Sequence, residues 1–258
     1  MTLPLPAIDI VLITYDRYED IKKTFTALCK NLKYSGKINV YIADDCTPNK
    51  DYLPVLEVEL DELAYQCQRT WKIIPCQTPV NGGWGRNANH ALSKTTSDIV
   101  MMIEDDYVIT KEIDLDPLVA LLLCHQSIGL IRLDGIAGHK VLAHAHETDI
   151  SSYLPDYRQG VGNCGLVHYW LLDHSSPALN VYSHRPQLKH KRFHEFYGKY
   201  IEGAKLGVTE DDFAHRVKDG MKEHWQFAPC IAVPLDANNF FDHVGVSRQH
   251  TALDKEHK

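Results

Sequence analysis

Three carboxylates in a row, Glu104-Asp105-Asp106, follow the apolar run Ile99-Val100-Met101-Met102-Ile103. Like charges at the end of a buried strand repel one another unless something positive joins them. Residues two apart in extended chain share a face, so Glu104 and Asp106 can point to one place. Hard oxygen ligands of this kind suit a divalent cation. A second acid pair, Asp44-Asp45, ends another apolar segment. It reads either as a turn opener or cap, or as a carboxylate that accepts the imide N–H of a pyrimidine base. A third set, Glu210-Asp211-Asp212, follows Gly207-Val208-Thr209 and leads into Phe213, Ala214, Val217 and Met221 at helical spacing. Thr209 with Asp212 has the form of a capping box, and acids in a first helical turn are favoured by the dipole. Late in the chain, His243 sits between apolar residues and Gly245. It is either a core imidazole or, set against the acids, a third metal ligand.

These residues need a scaffold, and the first 135 positions supply one. Ile8–Ile13, Ile38–Ala43, Trp71–Ile74, Asp98–Ile103 and Ile128–Leu133 read as strands. Between them lie helical patterns at Glu19–Leu32, around Leu56–Cys67, from near Trp84, and at Leu115–His125. Alternating β and α with apolar strands predicts an α/β fold with a mostly parallel sheet covered on both faces. Ligands gather at the carboxyl ends of such strands, where each acid group lies. Residues 1–135 are therefore expected to form the half that holds a ligand at its strand ends. Residues 136–258, less periodic and rich in His, Tyr, Pro and Gly, are expected to form an acceptor region continuous with it.

The turn after the first strand is Thr14-Tyr15-Asp16-Arg17 and has no glycine. That disfavours both the dinucleotide fingerprint and the P-loop. The segment Asn81-Gly82-Gly83-Trp84-Gly85-Arg86-Asn87 is glycine-rich, which permits close backbone approach or positive φ; alone it is equally a flexible turn.

Composition sets the outer limits. The chain has 258 residues with 27 Lys+Arg against 34 Asp+Glu, a formal charge of −7. A net acidic chain is a poor general binder of nucleic acid or anionic membranes. No apolar run approaches the ~18–20 residues that span a bilayer, so no integral membrane association is expected. The start has no basic n-region, which argues against a signal peptide. Seven cysteines without a CxxC pair disfavour a disulfide framework or structural zinc, and a reducing cytoplasmic setting is expected.

As an ordered set, these motifs resemble the GT-A fold glycosyltransferases, most closely glycosyltransferase family 2. The resemblance rests on Thr14-Tyr15, Asp44-Asp45, Asn81-x-Gly with Arg86-Asn87, the triplet at 104–106, Thr209-Glu210-Asp211 and His243-Val-Gly. It implies a metal-dependent inverting transfer of a sugar from a nucleotide diphosphate, UDP by preference, to a hydroxyl. Thr14, Tyr15 and Arg17 would line the nucleotide pocket together with Asn81 and Gly82. Asp44, with Asp45 beside it, would bind the base edge, and Arg86 would lie by the base or diphosphate. Asp106 would bind Mn²⁺ or Mg²⁺ in a DxD-type motif. Glu104 would hold the ribose or a metal-bound water, with Asp105 able to share that work. His243 would complete the metal site. Asp211 would be the base, with Asp212 as the alternative and Glu210 in the same catalytic set.

The acceptor is open. The stretch 184–194, His-Arg-Pro-Gln-Leu-Lys-His-Lys-Arg-Phe-His, is densely cationic. It reads either as a solvated face or as a phosphate clamp, serving a carbohydrate acceptor or a hydroxymethylated DNA base. His144 and His146 alternate as on a strand and could face the acceptor cleft. Two other readings stand: a nucleotidyltransferase that makes a nucleotide sugar, and a non-catalytic nucleotide-sugar-binding module.

Overall fold

A computed structural model describes residues 5–124, 128–133, 145–147, 167–172, 181–205, 207–223, 228–234 and 240–244. His144 lies outside them. Four parallel strands form one half of a nine-stranded sheet: β1 (Ile8–Thr14), β3 (Ile38–Asp44), β4 (Lys72–Gln77) and β5 (Ile99–Glu104). Their order is β4-β3-β1-β5, and β5 is followed by β11 (Gln187–His190), β8 (Ile128–Arg132), β12 (Ala228–Pro234), β10 (Val167–Leu172) and β9 (Ala145–Glu147). Strands β11 and β10 run against their neighbours.

The strands are apolar almost throughout because both faces are covered. In β1, Ile8, Ile10 and Leu12 face one core layer, while Val11 and Ile13 face the other. The first layer packs beneath α1 (Tyr18–Asn31), α2 (Tyr52–Gln66) and α4 (Asp116–Cys124); the second packs beneath α3 (Gly83–Lys94), α5 (Phe193–Tyr197) and α6 (Val208–Gly220). Asp9, on β1, is buried but fully engaged: it accepts from the Thr96 and Ser97 amides at 2.6 and 2.8 Å, and from Ser97 Oγ and Asn39 Nδ2.

Two small ribbons matter for the site. Strand β2 (Leu32–Lys33) pairs with β7 (Ile113–Asp114). Strand β13 (Phe241–His243) pairs antiparallel with β6 (Tyr107–Ile109), directly after the acidic triplet. The second ribbon brings His243 beside Asp106 across more than a hundred residues of chain.

The five strands and four helices expected in the first 135 residues are present, with ends shifted by a few residues. The cationic stretch is a correction. It is neither a solvated face nor a continuous clamp, because β11 lies inside the sheet between β5 and β8. Gln187, Leu188 and Lys189 are fully buried, and Lys189 Nζ donates to Tyr200 Oη at 2.8 Å. Burial pushes the Lys189 ammonium well below its ordinary range. The expected Thr209–Asp212 capping box is also absent. Helix α6 starts after Gly207, at φ 88°, with no side-chain cap, and Thr209 is buried while Asp212 pairs with Arg216.

Among the described residues no helix is long and apolar enough to cross a membrane.

Candidate active site

The carboxyl ends of β1, β3 and β5 lie side by side, with Thr14 in register with Asp44 and Ile13 with Glu104. A cleft of about 350 Å³ opens above them. Of the residues singled out in the sequence, Thr14, Tyr15, Arg17, Asp45, Glu104, Asp105, Asp106, Glu210 and His243 all line it. Asp44, Asn81, Gly82, Arg86, Asp211 and Asp212 do not.

The triplet divides its labour. Asp105 turns into the protein: its Oδ2 accepts from Thr14 Oγ1 at 2.7 Å, and its backbone carbonyl accepts from Thr24 Oγ1. Burial outweighs these bonds and pushes its carboxyl up to about 7. Arg17 Nη1 bridges Asp105 Oδ1 at 3.2 Å and Asp106 Oδ2 at 2.8 Å. His243 Nε2 lies 3.3 Å from the same Asp106 Oδ2. The His243 ring stacks on Tyr107, and the Val244 amide donates to the Asp106 carbonyl at 2.8 Å, which fixes the approach. Among the described residues, Asp106 Oδ1 is buried and has no hydrogen-bond partner. A carboxylate oxygen left so is costly unless a ligand completes it.

Glu104 occupies the other pole of the cleft. Burial, then the charges of Asp106, Asp105 and Glu210, push its carboxyl up to about 8, with Trp84 acting in the opposite sense. Trp84 stacks face to face on His184, centroids 3.5 Å apart, and meets Tyr200 edge-on. Burial holds the His184 imidazole neutral, well below its ordinary range. Nothing in the sequence marks Trp84 or Tyr107 for the site, and His184 opens the cationic run that reads either as a solvated face or as a phosphate clamp. An aromatic beside a glycine turn is the nearest to a signal for Trp84; for His184 there is none, since its partners come from other elements.

Glu210 lines the cleft because of helical phase. Thr209, Phe213 and Val217 form the buried stripe of α6, and Glu210 flanks it at the cleft edge. The His184 amide donates to Glu210 Oε1 at 2.8 Å. Asp211, about 200° around the helix from Thr209, faces solvent beside His215. Asp212 is held by Arg216, whose Nε and Nη2 donate at 2.9 and 2.7 Å. Gly85 permits this arrangement: a Cβ there would stand 2.1 Å from the Ile201 carbonyl and 3.1 Å from Thr209 Cγ2.

The acids after β3 serve the fold. Asp44 is fully buried and accepts from Thr47 N, Thr47 Oγ1 and Gln77 Nε2. Asp45 accepts from the Gly82 and Gly83 amides and from Thr78 Oγ1, so it caps α3 from across the sheet. Asn81 Nδ2 donates to the Asp45 carbonyl. The glycine turn therefore offers its amides to a resident carboxylate. Arg86 pairs with Glu202 at the surface, 3.3 Å apart.

A divalent cation has a partial fit here. Among the described residues no group of three or more His, Cys, Asp or Glu is gathered for a metal. Asp106 and His243 form a carboxylate–imidazole pair with one oxygen unfilled. Such a pair suits Mn²⁺ or a similar ion whose other positions are filled by ligand oxygens and water.

Residues 9–156, more than half of the chain, match the model of glycosyl transferase family 2. The chain belongs to glycosyl transferase family 2. Among curated proteins none matches it. Solved structures share its GT-A fold. One is Staphylococcus aureus TarS 1-349 in complex with UDP-GlcNAc: TM-score 0.53, 16% identity, covering 94% of this chain and 61% of that one. Another is the mannosyltransferase PcManGT from Pyrobaculum calidifontis in complex with GDP-Man and Mn²⁺: TM-score 0.50, 12% identity, covering 87% and 56%. The chain thus spans roughly six tenths of the length of these relatives in fold. At such identities the likeness is one of fold, and this family 2 chain's chemistry must be argued from its own cleft.

Proposed function

We propose that this family 2 protein is a glycosyltransferase that moves a sugar from a nucleoside diphosphate to a hydroxyl acceptor with inversion. The observation that carries the reading is one cleft holding both halves of the chemistry. At one pole is a buried, incompletely coordinated Asp106 opposite His243. At the other is Glu210, oriented by a backbone amide.

The reaction has two electrostatic demands. The bond from the anomeric carbon to the diphosphate oxygen breaks, and its electron pair leaves with that oxygen. Negative charge therefore grows on the diphosphate and must be stabilised. Asp106 and His243 would hold Mn²⁺ or Mg²⁺, which when bound supplies that stabilisation as a Lewis acid. Arg17 adds fixed positive charge beside them. The acceptor hydroxyl forms the new bond to the anomeric carbon and gives up its proton, for which a positioned carboxylate is needed.

Of the three acids on α6, the geometry supports Glu210 for that proton. The resemblance favours Asp211, but Asp211 faces solvent beside His215 and Asp212 is occupied by Arg216. Thr14 and Tyr15 would border the nucleotide. Asp45, rather than the enclosed Asp44, is the β3 acid that reaches the cleft. Glu104, whose carboxyl is pushed up to about 8 by burial and by the neighbouring acids, would hydrogen-bond a ribose or sugar hydroxyl beside Trp84. The acceptor would be a hydroxyl compound, and Arg185 and Gly207, which also line the cleft, are the residues of the second half available to meet it.

The test is a donor panel. UDP-sugars and GDP-mannose are incubated with Mn²⁺, and nucleoside diphosphate release is measured with water or added glycans as acceptor. Diphosphate release from one of these donors supports the reading. Pyrophosphate release from a nucleoside triphosphate and a sugar phosphate points instead to a nucleotidyltransferase. Binding without turnover points to a sugar-nucleotide-binding module.

A further inference from the structure

One peptide group just before β11 is gripped at both ends. The Ser183 carbonyl accepts from Gln187 Nε2 at 3.1 Å. The N–H of the same peptide, on His184, donates to Glu210 Oε1 at 2.8 Å. A peptide is planar, so fixing its carbonyl also aims its N–H. Gln187 is a firm mounting: it is fully buried at the start of β11, inside the sheet, and its Nε2 also donates to Tyr182 Oη at 3.3 Å. The His184 ring supplies a second grip. It stacks on Trp84, and the rings of Tyr182 and Tyr200 stand edge-on to it, with centroids 5.9 and 5.6 Å away. Those two tyrosines are hydrogen-bonded to each other through their hydroxyls, and Tyr200 Oη accepts from the buried Lys189 amine.

We propose that Gln187 and the His184 ring are positioning residues, which act on the transfer by aiming the Ser183–His184 peptide at Glu210. The inference rests on the reading of Glu210 as the base and goes beyond it to what holds the base in place.

The need for such a mounting follows from the reaction. A glutamate side chain turns about several bonds, and a proton acceptor must stand within about 2.6–3.2 Å of the hydroxyl it serves. The amide takes Oε1 and leaves Oε2 for the acceptor. A misplacement of about 1 Å can cost about 100-fold in rate. The contribution of the ring is its flat face. Burial holds the imidazole neutral, well below its ordinary range, which makes it a poor rival to Glu210 as proton acceptor. A phenyl ring offers the same stacking face without the nitrogens; a methyl group offers neither. An imidazole that bonded the substrate or carried the proton itself gives the opposite expectation, since phenyl would then fail as methyl does.

These cases separate in turnover and binding measured side by side. Nucleoside diphosphate release is followed for the parent, His184→Ala, His184→Phe and Gln187→Met, using UDP-sugars and GDP-mannose with Mn²⁺ and water as acceptor. UDP affinity is measured by calorimetry on the same proteins. His184→Ala is expected to lower kcat by about 10–100-fold and to leave UDP affinity within about threefold, as for an interaction that matters only in the transition state. His184→Phe should restore kcat to within about threefold of the parent, because the stack is kept. Gln187→Met, which keeps the side-chain length and loses the donor, should also lower kcat by about tenfold or more; it serves as the test if His184→Ala does not fold. In a Glu210→Gln background neither substitution should lower kcat by more than about threefold further, since effects that pass through one group do not add. Parent-like turnover in His184→Ala or Gln187→Met overturns the part given to that residue. A phenyl variant as slow as the alanine one, UDP binding weakened in step with kcat, or full additivity with Glu210→Gln overturns the proposal and leaves Glu210 standing as the base. Parent-like turnover in Glu210→Gln, or no release by the parent from any of these donors, removes the reading of the base, and this inference falls with it.

Discussion

Two pairs of neighbouring acids close two parallel strands that flank β1, and they have opposite fates. After β3, Asp44 and Asp45 are surrounded by donors: Thr47, Gln77, Thr78 and the amides of Gly82 and Gly83. After β5, Asp105 and Asp106 share one guanidinium nitrogen, and a buried oxygen of Asp106 has no hydrogen-bond partner among the described residues. The same sequence signature, an acid pair closing an apolar run, thus yields a structural brace in one place and an open demand in the other. What separates them is whether backbone N–H groups reach the carboxylates. The turn after β3 and the start of α3 supply them; the turn after β5 leads directly into β6 and leaves Asp106 facing the cleft.

That contrast can be broken experimentally. The largest effect belongs to Glu210, the acid of α6 that lines the cleft. Glu210→Gln should lower kcat by about 10²–10⁴-fold, the usual range for a lost general base, while UDP affinity stays within about threefold; Asp211→Asn should change kcat far less. Loss of turnover only in Asp211→Asn would return the base role to the solvent-facing acid. Gly85→Ala comes next. The added methyl would stand against the Ile201 backbone carbonyl, which cannot step aside as a side chain can. A cost of about 1–3 kcal/mol is expected from such overpacking, read by urea unfolding, together with reduced turnover because Thr209 and Glu210 shift.

Asp45→Ala should also destabilise by about 1–3 kcal/mol, since it strands buried amides of Gly82 and Gly83. Asp106→Ala, by contrast, should leave the unfolding midpoint close to the parent's. Equal destabilisation by the two would erase the distinction between brace and open site.

The smallest effect is a pH slope. Burial raises the Asp45 carboxyl to about 6, above its ordinary value near 3.9. The native state then holds a proton that the unfolded chain has released. Stability from this group is therefore highest below pH ~4 and falls as pH rises toward ~6. Asp45→Asn, which keeps an acceptor but cannot titrate, should flatten the unfolding-midpoint profile across that window.

The first half of the fold was legible because parallel strands buried on both faces are continuous apolar runs, and amphipathic α1 lies between them. The second half was less so. Strand β11 carries Lys189 and His190 in the middle of the sheet, where Tyr200 accepts from the amine, and in sequence it reads as a charged stretch. The three residues of β13 are too few to show a period, yet they deliver His243. The candidate acids were all visible, but their state was not. The donors that occupy Asp45 lie 33 to 38 residues along the chain, so no local pattern distinguishes a satisfied carboxylate from an open one. Helical phase placed Asp211 outward and Glu210 inward, a difference of one position that the run of three acids conceals.

The central claim is that the acids after β5 are kept open for a metal-bound diphosphate. Calorimetric titration of UDP into the parent and Asp106→Asn, each with and without Mn²⁺, tests it most directly. The account expects Mn²⁺ to strengthen UDP binding to the parent and to have no effect on Asp106→Asn. UDP binding that is indifferent to Mn²⁺ in the parent, or equally enhanced by it in the variant, would contradict it.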